Sequence, residues 1–159
     1  MQPSLGLQVT LACQVPIPQA QSSFTVPVKV SVYNSGSTPV TVLKWGTPFD
    51  AHAGMLGVFE ICDTADGQVL PLDELKISRK LPPSADDLEE IPGGHSLDKV
   101  IDITGLCLQE GHDYSIHTKG IWHAVWEGSL VNVTESQLRD CSGAKRGEFQ
   151  SNFAVVKIQ

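Results

Sequence analysis

The chain is 159 residues long, with 11 basic and 18 acidic residues and a net charge of −7. It suits a single domain over 1–159, and its charge has the wrong sign for neutralising phosphates, which excludes nucleic acid and anionic membranes as natural partners. A 41% hydrophobic content with 14 Gly and 10 Pro fits a globular chain, and no apolar run reaches the roughly 20 residues of a membrane helix.

Every proline lies at or before residue 92. Each fixes φ and removes a backbone donor, so the first two-thirds is left to strands and turns. From Leu5 the odd positions Leu5, Leu7, Val9, Leu11 and Cys13 are apolar while Gln8 and Thr10 are polar, the period of a half-buried strand. A Pro-rich break at 14–23 ends it. The alternation resumes on Phe24, Val26, Val28, Val30 and Val32, with Pro27 requiring an edge or a bulge. Asn34-Ser35-Gly36-Ser37-Thr38-Pro39 is turn chemistry, and it predicts that Val40–Leu43 folds back as the hairpin partner of that strand.

Lys44–Asp50 reads as an irregular crossing, Val58–Cys62 as a short strand closed by a turn at 63–67, and Gln68–Ile77 as a strand broken by Pro71. Arg79–Gly94, with three prolines and the acidic residues Asp86, Asp87, Glu89 and Glu90, is expected to be a surface loop. It holds at most one helical turn, with Ser84 as the N-cap whose hydroxyl meets free amides. Leu97–Ile103, Tyr114–His117, Ile121–Val131 and Phe149–Ile158 complete the strands, and Glu135–Cys141 is the other helical turn. Seven to nine short strands predict an all-β antiparallel sandwich or small barrel.

Tests for catalytic motifs give little. There is no G-x-S-x-G turn, and Gly93-Gly94 is followed by His95-Ser96 rather than by the end of a phosphate-binding loop. The candidate metal ligands are His52, His95, His112, His117 and His123, with Asp113 and Glu127 nearby. No two of the histidines are spaced i, i+4, and on a continuous strand His117 and His123 would stand about 20 Å apart. Only a turn at Lys119-Gly120 would bring them together. The expectation is therefore no enzyme, no metal and no cofactor, with an unrecognised histidine site among His95, His112, Asp113, His117 and His123 as the alternative.

Two of the three tryptophans fall within Ile121-Trp122-His123-Ala124-Val125-Trp126. Alternation puts Trp122, Ala124 and Trp126 on one face, packed in the core or serving as a recognition surface. Trp45 and the apolar, Gly-rich stretch His52–Gly57 with Met55 raise the same question. Cys13, Cys62, Cys107 and Cys141 lack any C-x-x-C spacing; two disulfides and four thiols both remain open. Asn132-Val133-Thr134 is a glycosylation sequon.

Three segments together carry a family resemblance: Leu43–Asp50 leading to Val58–Ile61; Arg79-Lys80-Leu81-Pro82-Pro83 with Leu88 and Pro92-Gly93-Gly94; and Phe149-Gln150-Ser151-Asn152 before the last strand. Over roughly residues 5–158 the chain resembles the non-catalytic N-terminal region, or pro-region, of the deuterolysin and peptidyl-Lys metalloendopeptidases of fungi and bacteria. The resemblance implies an immunoglobulin-like β-sandwich. It also implies a role in assisting or restraining a protease, without the H-E-x-x-H domain that would follow such a region.

The leading expectation is a non-catalytic protein-binding module of inhibitor or folding-assistant type. It would act through the 44–57 and 79–95 loops, with Trp45, Phe49, His52, Met55, Arg79, Trp122, His123 and Trp126 as candidate binding residues. The expected partner is a protein, either a metalloendopeptidase or a cell-surface receptor. The alternative is a defence or immunomodulatory protein of fungal type that binds glycans or receptors through the aromatic patch. An extracellular location follows from the resemblance and the sequon, a cytoplasmic one if Met1 is the native start.

Overall fold

The computed structural model describes residues 5–13, 24–50, 52–55, 57–70, 79, 82–106, 108 and 111–157. Among the described residues, nine strands form two antiparallel sheets packed face to face. The narrow sheet has the order β1 (Leu7–Ala12), β2 (Phe24–Asn34), β6 (Ser96–Leu106). Alternation builds it as expected: Leu7, Val9 and Leu11 on β1, and Val26, Val28, Val30 and Val32 on β2, all point into the core. The β1 pairing ends at Ala12–Lys29, and a bulge separates Phe24 from Val26. Pro27, facing Asp102 of β6, thus sits where its missing donor is tolerated.

The wide sheet is organised on β7 (Asp113–Glu127). β4 (Phe59–Asp63) and β9 (Ala154–Lys157) flank its first half; β3 (Val40–Leu43) and β8 (Lys145–Gln150) flank its second half; and β5 (Leu88–Ile91) extends β3. Residues of both sheets, among them Val30, Ile61, Ile103, Ile116 and Trp122, share one buried cluster. A second, smaller cluster of Leu43, Leu88, Ala124 and Trp126 is covered by Trp45, Leu130, Val133, Leu138, Cys141 and Ala144. Every residue of β3 is therefore buried.

The expected hairpin does not form. β2 and β3 lie in different sheets, and 34–39 is a corner between them. Asn34, 1% exposed, builds that corner: its side-chain amide donates to the Thr38 and Ile91 carbonyls at 2.9 and 3.1 Å, and its Oδ1 accepts from Gly36 N at 3.0 Å. Satisfying a buried amide through three partners fixes a direction that turn chemistry alone leaves free.

Leu88–Ile91 is a strand rather than loop, because Leu88 and Ile91 are buried while the acidic Glu89 and Glu90 between them are half-buried. Before it, the expected turn is present as a 3-10 turn at Ala85–Asp87 with Ser84 as its N-cap in a capping box, the Ser84 amide donating to the Asp87 carboxylate at 2.9 Å. The strands expected at 114–117 and 121–131 are one: β7 runs unbroken for 15 residues, without the turn at Lys119-Gly120 that would have brought His117 and His123 together. Gly120 marks a close approach: a Cβ there would stand 2.9 Å from the Phe149 ring.

The helical turn expected at 135–141 is α1 (Glu135–Asp140), capped by Thr134, whose Oγ1 accepts from Gln137 N at 3.2 Å. It is six residues long, and no helix among the described residues is long and apolar enough to cross a membrane. Of the strand expected at 68–77, Val69 forms a single bridge to Cys62, and residues 71–78 lie outside the described residues.

Candidate functional site

The 44–55 crossing is tied from within by short polar side chains. The Thr47 hydroxyl donates to the Lys44 carbonyl at 2.7 Å and accepts from Phe49 N at 3.2 Å. Asp50 is the centre. Its Oδ2 accepts from Gly46 N at 2.9 Å and from the Arg79 guanidinium, while its Oδ1 accepts from His52 N at 3.0 Å. Burial of the 3%-exposed residue opposes ionisation, yet the Gly46 and His52 amides and the Arg79 cation outweigh it and hold the carboxyl below its ordinary range. With both oxygens engaged, Asp50 acts as a clamp rather than as a base or metal ligand.

Arg79 joins the two loops singled out in the sequence. Besides the Asp50 carboxylate it faces the half-exposed Trp45 ring, its guanidinium carbon 5.6 Å from the ring centroid. The Lys44 amide adds a second tie, donating to the Asp87 carbonyl at 2.8 Å. His123 of β7 also approaches the crossing at Gly46: a Cβ on Gly46 would be 3.6 Å from His123 Nε2. Partial burial lowers the proton affinity of His123, and Arg146, with Nη2 3.5 Å from His123 Nδ1, lowers it further. Arg146 also lines an open depression of about 310 Å³ with Ile121, Gly147 and Glu148.

Trp45, His52, Arg79 and His123 are thus gathered around the Asp50 clamp. Phe49 is not presented: its side chain is 1% exposed, and its carbonyl accepts from Lys99 Nζ at 3.1 Å. Met55 ends a 3-10 turn, Ala53–Met55, whose Ala53 side chain is buried. Trp122 and Trp126 are 0% and 2% exposed and form no aromatic surface. They do not even share a face. A bulge between Trp122 and Val125 inserts one residue on β7 opposite β8, so Trp122 and Val125 enter the main core while Ala124 and Trp126 enter the second cluster. Trp122 packs on Phe149 with centroids 4.9 Å apart, and Trp126 Nε1 donates to the Ser142 carbonyl at 3.0 Å.

The histidines are dispersed. His95 Nδ1 lies 2.8 Å from the Gly93 carbonyl. His112 Nδ1 is 2.8 Å from Asp63, whose carboxyl is held low first by the Ala65 amide and then by His112. His117 is buried under Phe153, with its Nε2 3.7 Å from Glu60. Asp113 is exposed at the start of β7, and Glu127, at its end, pairs with Lys145 at 3.1 Å. Among the described residues no three or more His, Cys, Asp or Glu side chains are placed to hold an ion together.

Cys13, Cys62 and Cys141 are free thiols, which corrects the two-disulfide alternative. Cys13 packs on the main core and Cys141 on the second cluster. Cys107 lies outside the described residues. Asn132 is exposed in a 3-10 turn, Leu130–Asn132.

Sequence reasoning missed Asp50, Lys99 and Arg146. Asp50 had a local signal, an Asp four residues after a Gly within a turn-rich crossing, a spacing that lets a carboxylate collect amides. Arg146 had none, because its relation to His123 depends on the β7–β8 register.

A model of the immunoglobulin-like domain matches residues 13–158. An uncharacterized secreted protein of Arthroderma benhamiae is 39% identical over 158 residues, an alignment covering 97% of this chain and 78% of the relative.

Proposed function

The chain belongs to the immunoglobulin-like domain family, and from that premise we propose that it is a secreted, non-catalytic binding module whose protein partner is engaged by the 44–57 crossing together with Arg79. The carrying observation is the Asp50 clamp, which fixes two loops from distant parts of the chain against each other and leaves Trp45 half-exposed beneath a guanidinium. A rigid loop presenting an aromatic and an arginine suits an interface anchor, because little conformational entropy is lost on docking. The secreted description of the Arthroderma relative supports the extracellular route.

The resemblance of residues 43–50, 79–94 and 149–152 to metalloendopeptidase pro-regions directs the choice of partner to a zinc endopeptidase of deuterolysin type, restrained or assisted in folding. The test combines gel filtration, cleavage kinetics and refolding yield with such a protease at micromolar concentrations. Co-elution that weakens tenfold or more in Trp45→Ala, with a changed rate or yield, is expected. No complex, an unchanged rate and an unchanged refolding yield together would reject the protease partner.

A further inference from the structure

Outside the clamp, the side chain with the most open chemistry is Asn132. It is exposed, and its side-chain amide makes no hydrogen bond among the described residues. The turn that carries it is held from both sides: Leu130 N donates to Glu90 Oε1 at 2.7 Å, and Leu130 and Val133 pack on the second cluster. Beyond Asn132 the backbone is extended through Val133 (φ −81°, ψ 116°) and Thr134 (φ −84°, ψ 163°) before α1 begins. A bulky group on Asn132 would therefore displace no strand and break no contact. Val131 beside it is 88% exposed, an apolar side chain that a first sugar ring would partly cover.

We propose that Asn132 carries an N-linked oligosaccharide. Asn132-Val133-Thr134 has the acceptor spacing, with no proline at the middle position. In the transfer, Asn132 Nδ2 forms a bond to the anomeric carbon of an oligosaccharide carried on a lipid diphosphate. The bond from that carbon to the diphosphate oxygen breaks, the lipid diphosphate leaves with the electron pair, and one amide proton passes to a base of the transferase. Nothing is oxidised or reduced. In the folded chain the Thr134 hydroxyl serves as the cap of α1, so the sequon threonine has a structural use independent of the sugar, whereas Asn132 has none.

The inference rests on the secreted reading, and its test keeps the two apart. The chain is expressed in a eukaryotic host behind a heterologous leader, so that entry to the secretory pathway does not depend on native routing, and both medium and microsomal fractions are analysed by intact mass. The expected result is a form heavier by a core oligosaccharide that peptide-N-glycosidase removes. The heavier form disappears in Asn132→Gln and Thr134→Ala and is retained in Thr134→Ser, which keeps the hydroxyl. A wild-type chain of unmodified mass in both fractions overturns the proposal, as does a heavier form that persists in Asn132→Gln. Whether the native gene product reaches the medium is a separate measurement that bears only on secretion.

Discussion

Asn152 holds the backbone of Leu11 with both of its polar atoms: Oδ1 accepts from Leu11 N at 2.7 Å, and Nδ2 donates to the Leu11 carbonyl at 3.1 Å. One side chain, in the link between β8 and β9, thereby supplies the free edge of β1 with the pairing that a neighbouring strand would give and fastens the narrow sheet to the wide one. Replacing it by Ala leaves a donor and an acceptor on β1 to water, at a cost of about 1–2 kcal/mol. Asp keeps the acceptor and loses the donor, placing a charge against a carbonyl. Urea unfolding is expected to show a lower midpoint for both variants with an unchanged slope.

The Asp50 clamp makes stability pH-dependent in a fixed direction. The folded-state pKa lies below the unfolded value of about 3.9, so the contribution is complete above the unfolded pKa and is lost as pH falls through the folded one. Asp50→Asn keeps the shape but removes the charge facing Arg79, and should flatten that acid limb. Asp50→Ala strands Arg79 and two amides and should cost about 2–3 kcal/mol at neutral pH. Unfolding midpoints measured between acid and neutral pH check both; an acid limb unchanged in Asp50→Asn would contradict the assignment.

Burial of Trp122 and Trp126 has a spectroscopic consequence. Acrylamide should quench only the Trp45 fraction of the native fluorescence, and Trp45→Phe should leave an emission that is blue-shifted and nearly unquenchable. Trp122→Ala, which opens a cavity against Phe149, should destabilise the fold by about 3–5 kcal/mol. Trp126→Phe, which keeps most of the ring and loses the bond to Ser142, should cost about 1 kcal/mol.

The free thiols predict a labelling pattern. In denaturant, Cys13, Cys62 and Cys141 should all react with a maleimide without prior reduction. In the native protein Cys13 should react slowly, because burial raises its pKa and lowers the thiolate fraction. Peptide mapping after timed labelling distinguishes the three. Rapid native labelling of Cys13 would contradict its placement against the core.

Gly54 packs against the backbone of β6: a Cβ there would lie 2.5 Å from the Asp102 carbonyl oxygen. Gly54→Ala should therefore push the 53–55 turn away from the narrow sheet, at a cost of about 1–3 kcal/mol. The clamp should loosen with it, read as increased acrylamide quenching of Trp45 at a pH where the protein remains folded.

What the sequence determined by itself was local. Period-two burial on β1 and β2, the irregular crossing at 44–50 and the capped turn at 134–141 follow from neighbours within a few residues, and an all-β sandwich follows from their number. The choices left to the tertiary structure depend on partners far along the chain. Asn34 turns the chain into the second sheet rather than a hairpin because one acceptor is Ile91, 57 residues away. Glu89 and Glu90 lie in a strand because β3 offers an edge. Trp122 and Trp126 part company because β8 sets a register that requires a bulge, and Asp50 becomes a clamp because Arg79 arrives from 29 residues downstream. Alternation and turn propensity are written in adjacent side chains, whereas a buried amide, a bulge or an ion pair acquires its meaning only when the fold brings its partner within hydrogen-bonding distance.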